Sequence, residues 1–162
     1  MRSVLQRVLS AAVTTDGVER GRIGRGLCVL AGLYETDTET DLAWMAEKIA
    51  NLRIFEDAQG KMNLSVRDIE GPNGAASGGA DAAGILLIPN FTLAGDARKG
   101  RRPSFDLAMK PDRAGPMFDR FTDLVRHHAA PIHVATGVFR ADMKLTLTND
   151  GPVTIILDSS DV

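Results

Sequence analysis

The 162-residue chain holds one cysteine, one tryptophan and one tyrosine, and this scarcity excludes several kinds of protein. No disulfide can form within the chain, and Cys28 lies in the apolar run Leu27-Cys28-Val29-Leu30, where a thiol packs as a small hydrophobe. His127, His128 and His133 come without the cysteine pairs of a metal centre, so neither metal nor cofactor is expected. No apolar run approaches the roughly 18 residues that span a bilayer. The opening MRSVLQRVLS carries Arg2 and Arg7 instead of a signal core, which points to the cytoplasm and away from a membrane partner. Cations are not in excess: 19 Lys and Arg face 21 Asp and Glu, so any binding to a polyanion must rest on a local patch. A Walker loop, a dinucleotide fingerprint and a Ser/His/Asp triad are all missing.

The residues present suit one domain over 1–162, since 44% hydrophobic composition supplies a single core and nothing marks a second. Residues 2–15 set Val4, Gln6, Val8 and Ser10 against Leu5, Arg7 and Leu9 at strand spacing, and Asp16-Gly17 then signals a hairpin before Val18-Glu19-Arg20. Gly26–Tyr34 reads as a central strand. Thr36 with Glu39 forms a capping-box pattern ahead of Leu42, Met45, Ala46, Ile49 and Leu52, an apolar stripe at helical spacing with Trp44 at its border. Arg53–Glu56 and Met62–Val66 flank an Asp57–Gly60 turn and predict another hairpin. Five Gly and five Ala fill ten of the fifteen positions 70–84, a composition that predicts a flexible inserted loop. Ile85–Ile88 resumes a buried strand, Pro116 is expected in the first turn of an amphipathic helix through Val125, and Ile132-His133-Val134 begins the final strands.

Candidate chemistry lies in three places. Asn149-Asp150-Gly151-Pro152 is expected as a turn between two strands whose Leu145, Leu147, Val153, Ile155 and Leu157 form one buried face. An X-Pro bond loses most of its trans preference, which makes Gly151-Pro152 a candidate clamp; only about 5–6% of such bonds are cis, so an ordinary turn is the competing reading. Arg98-Lys99-Gly100-Arg101-Arg102 places four cations within five residues and suits a phosphate backbone, against the alternative of a solvated loop. Thr92 carries a hydroxyl with no sequence-adjacent base. Arg7, on an apolar strand, is either a surface cation or one that reaches a buried carbonyl.

Taken together, Arg7 in VLQRV, Asn51–Asn63 in NLRIFEDAQGKMN, Ala97–Phe105 in ARKGRRPSF and Asn149–Thr154 in NDGPVT resemble the D-aminoacyl-tRNA deacylases over nearly the whole chain. The resemblance implies an α+β fold in which a curved antiparallel, barrel-like sheet packs against helices, and a homodimer. It implies hydrolysis of the ester between a D-amino acid and tRNA, with a cis Gly151-Pro152 that reaches the partner's site, braced by Arg7; if that motif rejects L-aminoacyl-tRNA by steric conflict, glycine offers nothing to reject, and glycyl-tRNA is expected to be cleaved as well. Phe91 and Thr92 take the catalytic positions, their amides steadying the oxyanion, while Pro89, Asn90 and Phe139 line the substrate site. Arg98, Lys99, Arg101 and Arg102 hold tRNA, and no DNA partner is implied. Two departures stand out: Pro89-Asn90 replaces the family's Ser-Gln, and Arg140 in GVFRADM replaces a common glycine. The alternatives are a non-catalytic tRNA-binding module and a trans-Gly-Pro relative that edits small L-aminoacyl-tRNA.

Overall fold

The computed structural model describes residues 1–69 and 82–161. The chain runs β1 (Arg2–Thr15), β2 (Val18–Ile23), β3 (Gly26–Gly32), α1 (Glu39–Asn51), β4 (Phe55–Glu56), β5 (Met62–Leu64), β6 (Gly84–Pro89), α2 (Pro111–Ala129), β7 (His133–Thr136) and β8 (Lys144–Asp158), with 3-10 turns at Phe91–Ala94 and Ser159–Asp161. The main sheet has the order β2-β1-β3-β6-β7, with β8 alongside β1, while β4 and β5 pair separately.

The fold is the expected α+β arrangement, a barrel-like sheet with helices outside, and two of its pairings are parallel: β3 with β6 and β6 with β7. Parallel strands need both faces covered, and these have it. Leu27, Val29, Ile85 and Leu87 join Phe55, Phe121, Val125 and the α1 stripe in one core. Cys28, Leu86 and Ile88 meet Val8, Val13, Ile23 and Ala135 in a second core on the other face. Burial there pushes the Cys28 thiol up to about 12, which leaves it protonated and inert. The curl nearly closes: Gly21 of β2 lies so close to β7 that a Cβ would stand 3.0 Å from the Thr136 carbonyl oxygen.

The Asn149–Pro152 segment is not a turn between strands. β8 runs unbroken, and in its antiparallel register Gln6 faces Thr154 while Val8 faces Asn149, so Asp150–Val153 lie opposite Arg7 alone. A wide bulge results, and Leu9 is extra on the β1 side between Val8 and Ser10. Bulges reset which face a side chain meets. Before the bulge in β8, Leu145 and Leu147 pack on the inner core; after it, Val153, Ile155 and Leu157 pack under the helices. The expected single buried face of β8 is therefore divided between two cores.

Other boundaries also move. The α1 cap is Thr38 with Asp41, not Thr36 with Glu39: Thr38 donates its N–H and hydroxyl to the Asp41 carboxylate at 2.8 and 2.7 Å. The preceding Tyr34–Asp37 turn, in which the Tyr34 N–H donates to Asp37 Oδ2 at 2.7 Å, delays the helix. Pro116 lies inside α2, whose first residue is Pro111. Pro111 uses a position where its missing N–H is not needed. Of the Gly/Ala-rich segment 70–84, residues 70–81 lie outside the described residues; Ala82 and Ala83 are buried, and Gly84 opens β6 against Gly26. Among the described residues no helix is long and apolar enough to cross a membrane.

Candidate active site

At the end of β6 the chain leaves the sheet through Asn90, whose N–H still donates to the Ala31 carbonyl at 2.8 Å. Asn90 then caps the 3-10 turn that follows. Its Oδ1 accepts from the Thr92 N–H at 3.3 Å and from the Thr92 hydroxyl at 2.5 Å. The Phe91 N–H opens the same turn without an intrahelical acceptor. Phe91 itself is 59% exposed and meets Phe105 edge-on, with ring centroids 5.2 Å apart.

Phe105 comes to that position because Asp96 and Ser104 exchange both backbone hydrogen bonds, at 2.8 and 2.9 Å, and so close the basic loop between them. The Asp96 carboxylate takes the Arg98 guanidinium at 2.6 Å and the Arg98 N–H at 2.9 Å, which holds its pKa down at about 2. Arg98 is thus already paired. Lys99, Arg101 and Arg102 are exposed and make no ion pair among the described residues.

Phe91 and Phe105 form one wall of a cavity of about 650 Å³. Its floor comes from the strand ends, through Leu30, Ile88, Pro89 and Asn90, and its far side from Met109, Phe118 of α2, Phe139 and Met143. Phe139 is set by α2, whose Gly115 lies close enough that a Cβ would touch the ring at 3.5 Å. The charged lining residues are Lys110 and Arg140; no carboxylate, histidine or cysteine lines the cavity among the described residues. A side chain able to act as general base at neutral pH is accordingly missing from the wall.

The cavity gathers Pro89, Asn90, Phe91 and Phe139 and leaves the other candidates outside. Thr92 is held back by Asn90, and Arg98, Lys99, Arg101 and Arg102 lie on the adjoining loop. Other wall residues, among them Phe105, Met109, Phe118 and Met143, are not marked as site residues by the sequence. Phe105 ends the ARKGRRPSF motif, and Phe118 is legible only as part of a helical stripe. Met143 ends the GVFRADM segment without being marked as a site residue, and Met109 carries no sequence signal.

Arg7, Gly151 and Pro152 form a separate locus on β1 and β8. Arg7 is 4% exposed. Its Nη1 donates to the Ile54 carbonyl at 2.7 Å, its Nε donates to the Asp150 carbonyl at 3.2 Å, and the Asp150 carboxylate lies 3.2 Å from the same nitrogen. The cation reaches the Ile54 carbonyl in a buried bond and the Asp150 carbonyl in a partly buried one, and so ties the bulge to the segment behind α1. Gly151 (φ +126) and Pro152 are exposed beyond it, joined by a cis peptide bond, as are Ala130 and Pro131.

These features define a class: an α+β, barrel-like fold with an aromatic cavity at its strand ends and a braced Gly-Pro bulge on its longest strand pair. Residues 4–158 match the model of the D-Tyr-tRNA(Tyr) deacylase family, and the chain belongs to that family. It is 54% identical to a D-aminoacyl-tRNA deacylase of Geobacter sulfurreducens over 98% of this chain and 95% of the relative. It is 50% identical to one of Thermus aquaticus, over 99% and 97%. The solved structure of a c-Myc DNA unwinding element binding protein superimposes with a TM-score of 0.84 at 39% identity, covering 98% of each chain. A probable eukaryotic D-amino acid tRNA deacylase shares the fold, with a TM-score of 0.71 at 19% identity, over 96% of this chain and 97% of that one.

Proposed function

We propose that this chain hydrolyses the ester joining a D-amino acid to the terminal adenosine of tRNA, releasing the free amino acid and tRNA, and that it also cleaves glycyl esters while sparing L-aminoacyl esters. The observation that carries the reading is the cavity: a base-free, aromatic chamber built from Pro89, Asn90, Phe91 and Phe139 in a chain whose relatives are named D-aminoacyl-tRNA deacylases. Its size and lining suit a nucleoside ester.

With no side-chain base on the wall, the chain supplies geometry and the substrate supplies the proton acceptor. Water attacks the ester carbonyl while the neighbouring ribose 2′-OH relays its proton. The bond to the ribose 3′ oxygen breaks, and that oxygen leaves protonated. The Phe91 N–H, without an acceptor in its own turn, steadies the developing oxyanion, and the Thr92 N–H joins it once its long bond to Asn90 Oδ1, 3.3 Å, opens. Asn90 stands where the family has a glutamine and holds the Thr92 hydroxyl as a donor to itself, which argues for Thr92 as an orienting group. Lys99, Arg101 and Arg102 hold tRNA phosphates beside the cavity.

Chiral selection belongs to Gly151-Pro152. The bulge is exposed and outside its own chain's cavity, so a second copy of the chain is the body into which it projects. A homodimer with shared sites completes the chamber, and the bulge then excludes any side chain on the L face by steric conflict. Glycine offers nothing to exclude.

Single-turnover deacylation of D-alanyl, glycyl and L-alanyl esters on one tRNA body tests the reading. Rapid loss of the first two and persistence of the third is the expected result. Equal resistance of the glycyl and L-alanyl esters refutes steric rejection, and binding without turnover of any ester reduces the chain to a tRNA-binding module. A terminal 2′-deoxy substrate is expected to lose most of the rate, and Thr92→Ala to keep much of it; the reverse makes Thr92 the catalytic hydroxyl.

A further inference from the structure

We propose that Arg140 is a phosphate-binding residue at the cavity's opening, holding the phosphodiester that precedes the esterified nucleoside and giving the site its preference for nucleotide over nucleoside. The inference rests on the reading that the cavity takes the terminal nucleoside of an aminoacyl ester. Arg140 lines the cavity and is exposed, so it sits where the chamber meets solvent.

Its backbone is the first argument. The Ala141 N–H donates to the Val138 carbonyl at 3.3 Å, closing a four-residue turn with Phe139 and Arg140 at its centre. Arg140 has φ +62 while Phe139 keeps a negative φ, a combination that belongs to a type II turn, whose third position favours glycine. An arginine there departs from what the backbone prefers, and such departures point toward a role for the side chain.

The second argument is charge. Among the described residues Arg140 makes no hydrogen bond or ion pair. The neighbouring Asp142 is engaged by Lys144 at 2.9 Å. The other cation of the lining, Lys110, sits beside Glu35, whose carboxyl it helps to hold low, so its charge is already partly answered. An unpaired guanidinium at the edge of an aromatic, carboxylate-free chamber is the arrangement that receives a nucleoside in the chamber and its phosphate outside it.

The test compares equilibrium binding of AMP and adenosine to the full chain, with the 5′-phosphate standing for the phosphodiester. AMP is expected to bind about tenfold more tightly than adenosine, the size of one charge-assisted contact. Arg140→Gly, which suits the turn and keeps the fold, is expected to bring the ratio near one. Arg140→Lys retains part of it, and Lys110→Ala retains most of it. Equal affinities in the parent, no measurable binding of either compound, or a preference that survives Arg140→Gly overturns the proposal. Deacylation of D-aminoacyl-tRNA by the parent is measured in parallel: turnover without an AMP preference rejects Arg140 alone, and an AMP preference without turnover rejects the hydrolytic reading while the phosphate contact stands.

Discussion

The cavity and the Gly-Pro bulge are held in opposite ways. The rim of the cavity is made of side chains that reach out from turns, with Phe91 more than half exposed and steadied by one edge contact to Phe105. The bulge is main chain, and the group that shapes it is a buried guanidinium bonded to carbonyls of two distant segments. Loss of the exposed Phe91 ring removes wall surface and little buried packing, whereas Ile88, Met109 and Phe118 of the same wall belong to the core. Loss of the brace leaves the buried Ile54 carbonyl and the partly buried Asp150 carbonyl without this donor. The exposed aromatic rim of the wall is therefore expected to act as binding surface and the bulge as architecture.

Arg7→Ala gives the largest expected effect, about 3 kcal/mol of stability in urea denaturation, since buried acceptors and Asp150 lose their partner together. A loss below about 1 kcal/mol, the ordinary worth of a surface pair, would erase the contrast between the two regions. Gly151→Ala follows at about 1–3 kcal/mol, because φ +126 is open to glycine and an added Cβ would stand 2.9 Å from the Val153 nitrogen. Phe91→Ala sharpens the comparison from the other side: stability is expected to change by less than about 0.5 kcal/mol, as for most exposed substitutions, while deacylation falls about tenfold or more. Equal destabilisation by Phe91→Ala and Arg7→Ala would show the wall to be architecture as well.

Smaller effects come from the basic loop. Neutralising Arg101 and Arg102 is expected to weaken tRNA binding and to reduce the slope of affinity against salt by up to about 0.7–0.9 for each phosphate no longer held, measured in a salt titration. The smallest concerns pH. Asp96 titrates at about 2 because Arg98 stabilises its charged form, so the order it lends the loop is present above the ordinary carboxylate value and is lost only as pH falls through about 2. The loop's NMR signals are expected to stay unchanged between about pH 8 and 5, and Asp96→Asn to release Arg98.

Local patterning made much of this legible. Asp16-Gly17, the alternation in β1, the α1 stripe and the apolar runs of β3 and β6 are signals carried within a few residues, and all stand in the structure. The four motifs that mark the family are equally local. Three of them meet at Arg7, through the Ile54 and Asp150 carbonyls, and the fourth reaches the cavity through Phe105. Where local signals misled, the deciding partner was remote. Thr36 and Glu39 fit a capping box, but Asp37 is drawn into a turn with Tyr34, so the helix waits for Thr38. Asn149–Pro152 has the composition of a turn, yet β1 runs alongside through its full length and absorbs the extra residues as a bulge.

Residue order was enough to point to the α+β fold without a disulfide to organise it, and to narrow the candidate chemistry to a short list that includes Arg7, Phe91, Thr92, the basic loop and Gly151-Pro152. Periodicity, turn chemistry and composition are properties of neighbours, and neighbours are what a sequence displays. It took the folded chain to make Arg7 a buried brace, to set Asn90 on the Thr92 hydroxyl, to bring Met109, Phe118 and Met143 into the wall, and to place Arg140 at its opening without an ion pair among the described residues. Each of those outcomes depends on which segments the curling sheet brings together, and no pattern local to any one of them encodes that meeting.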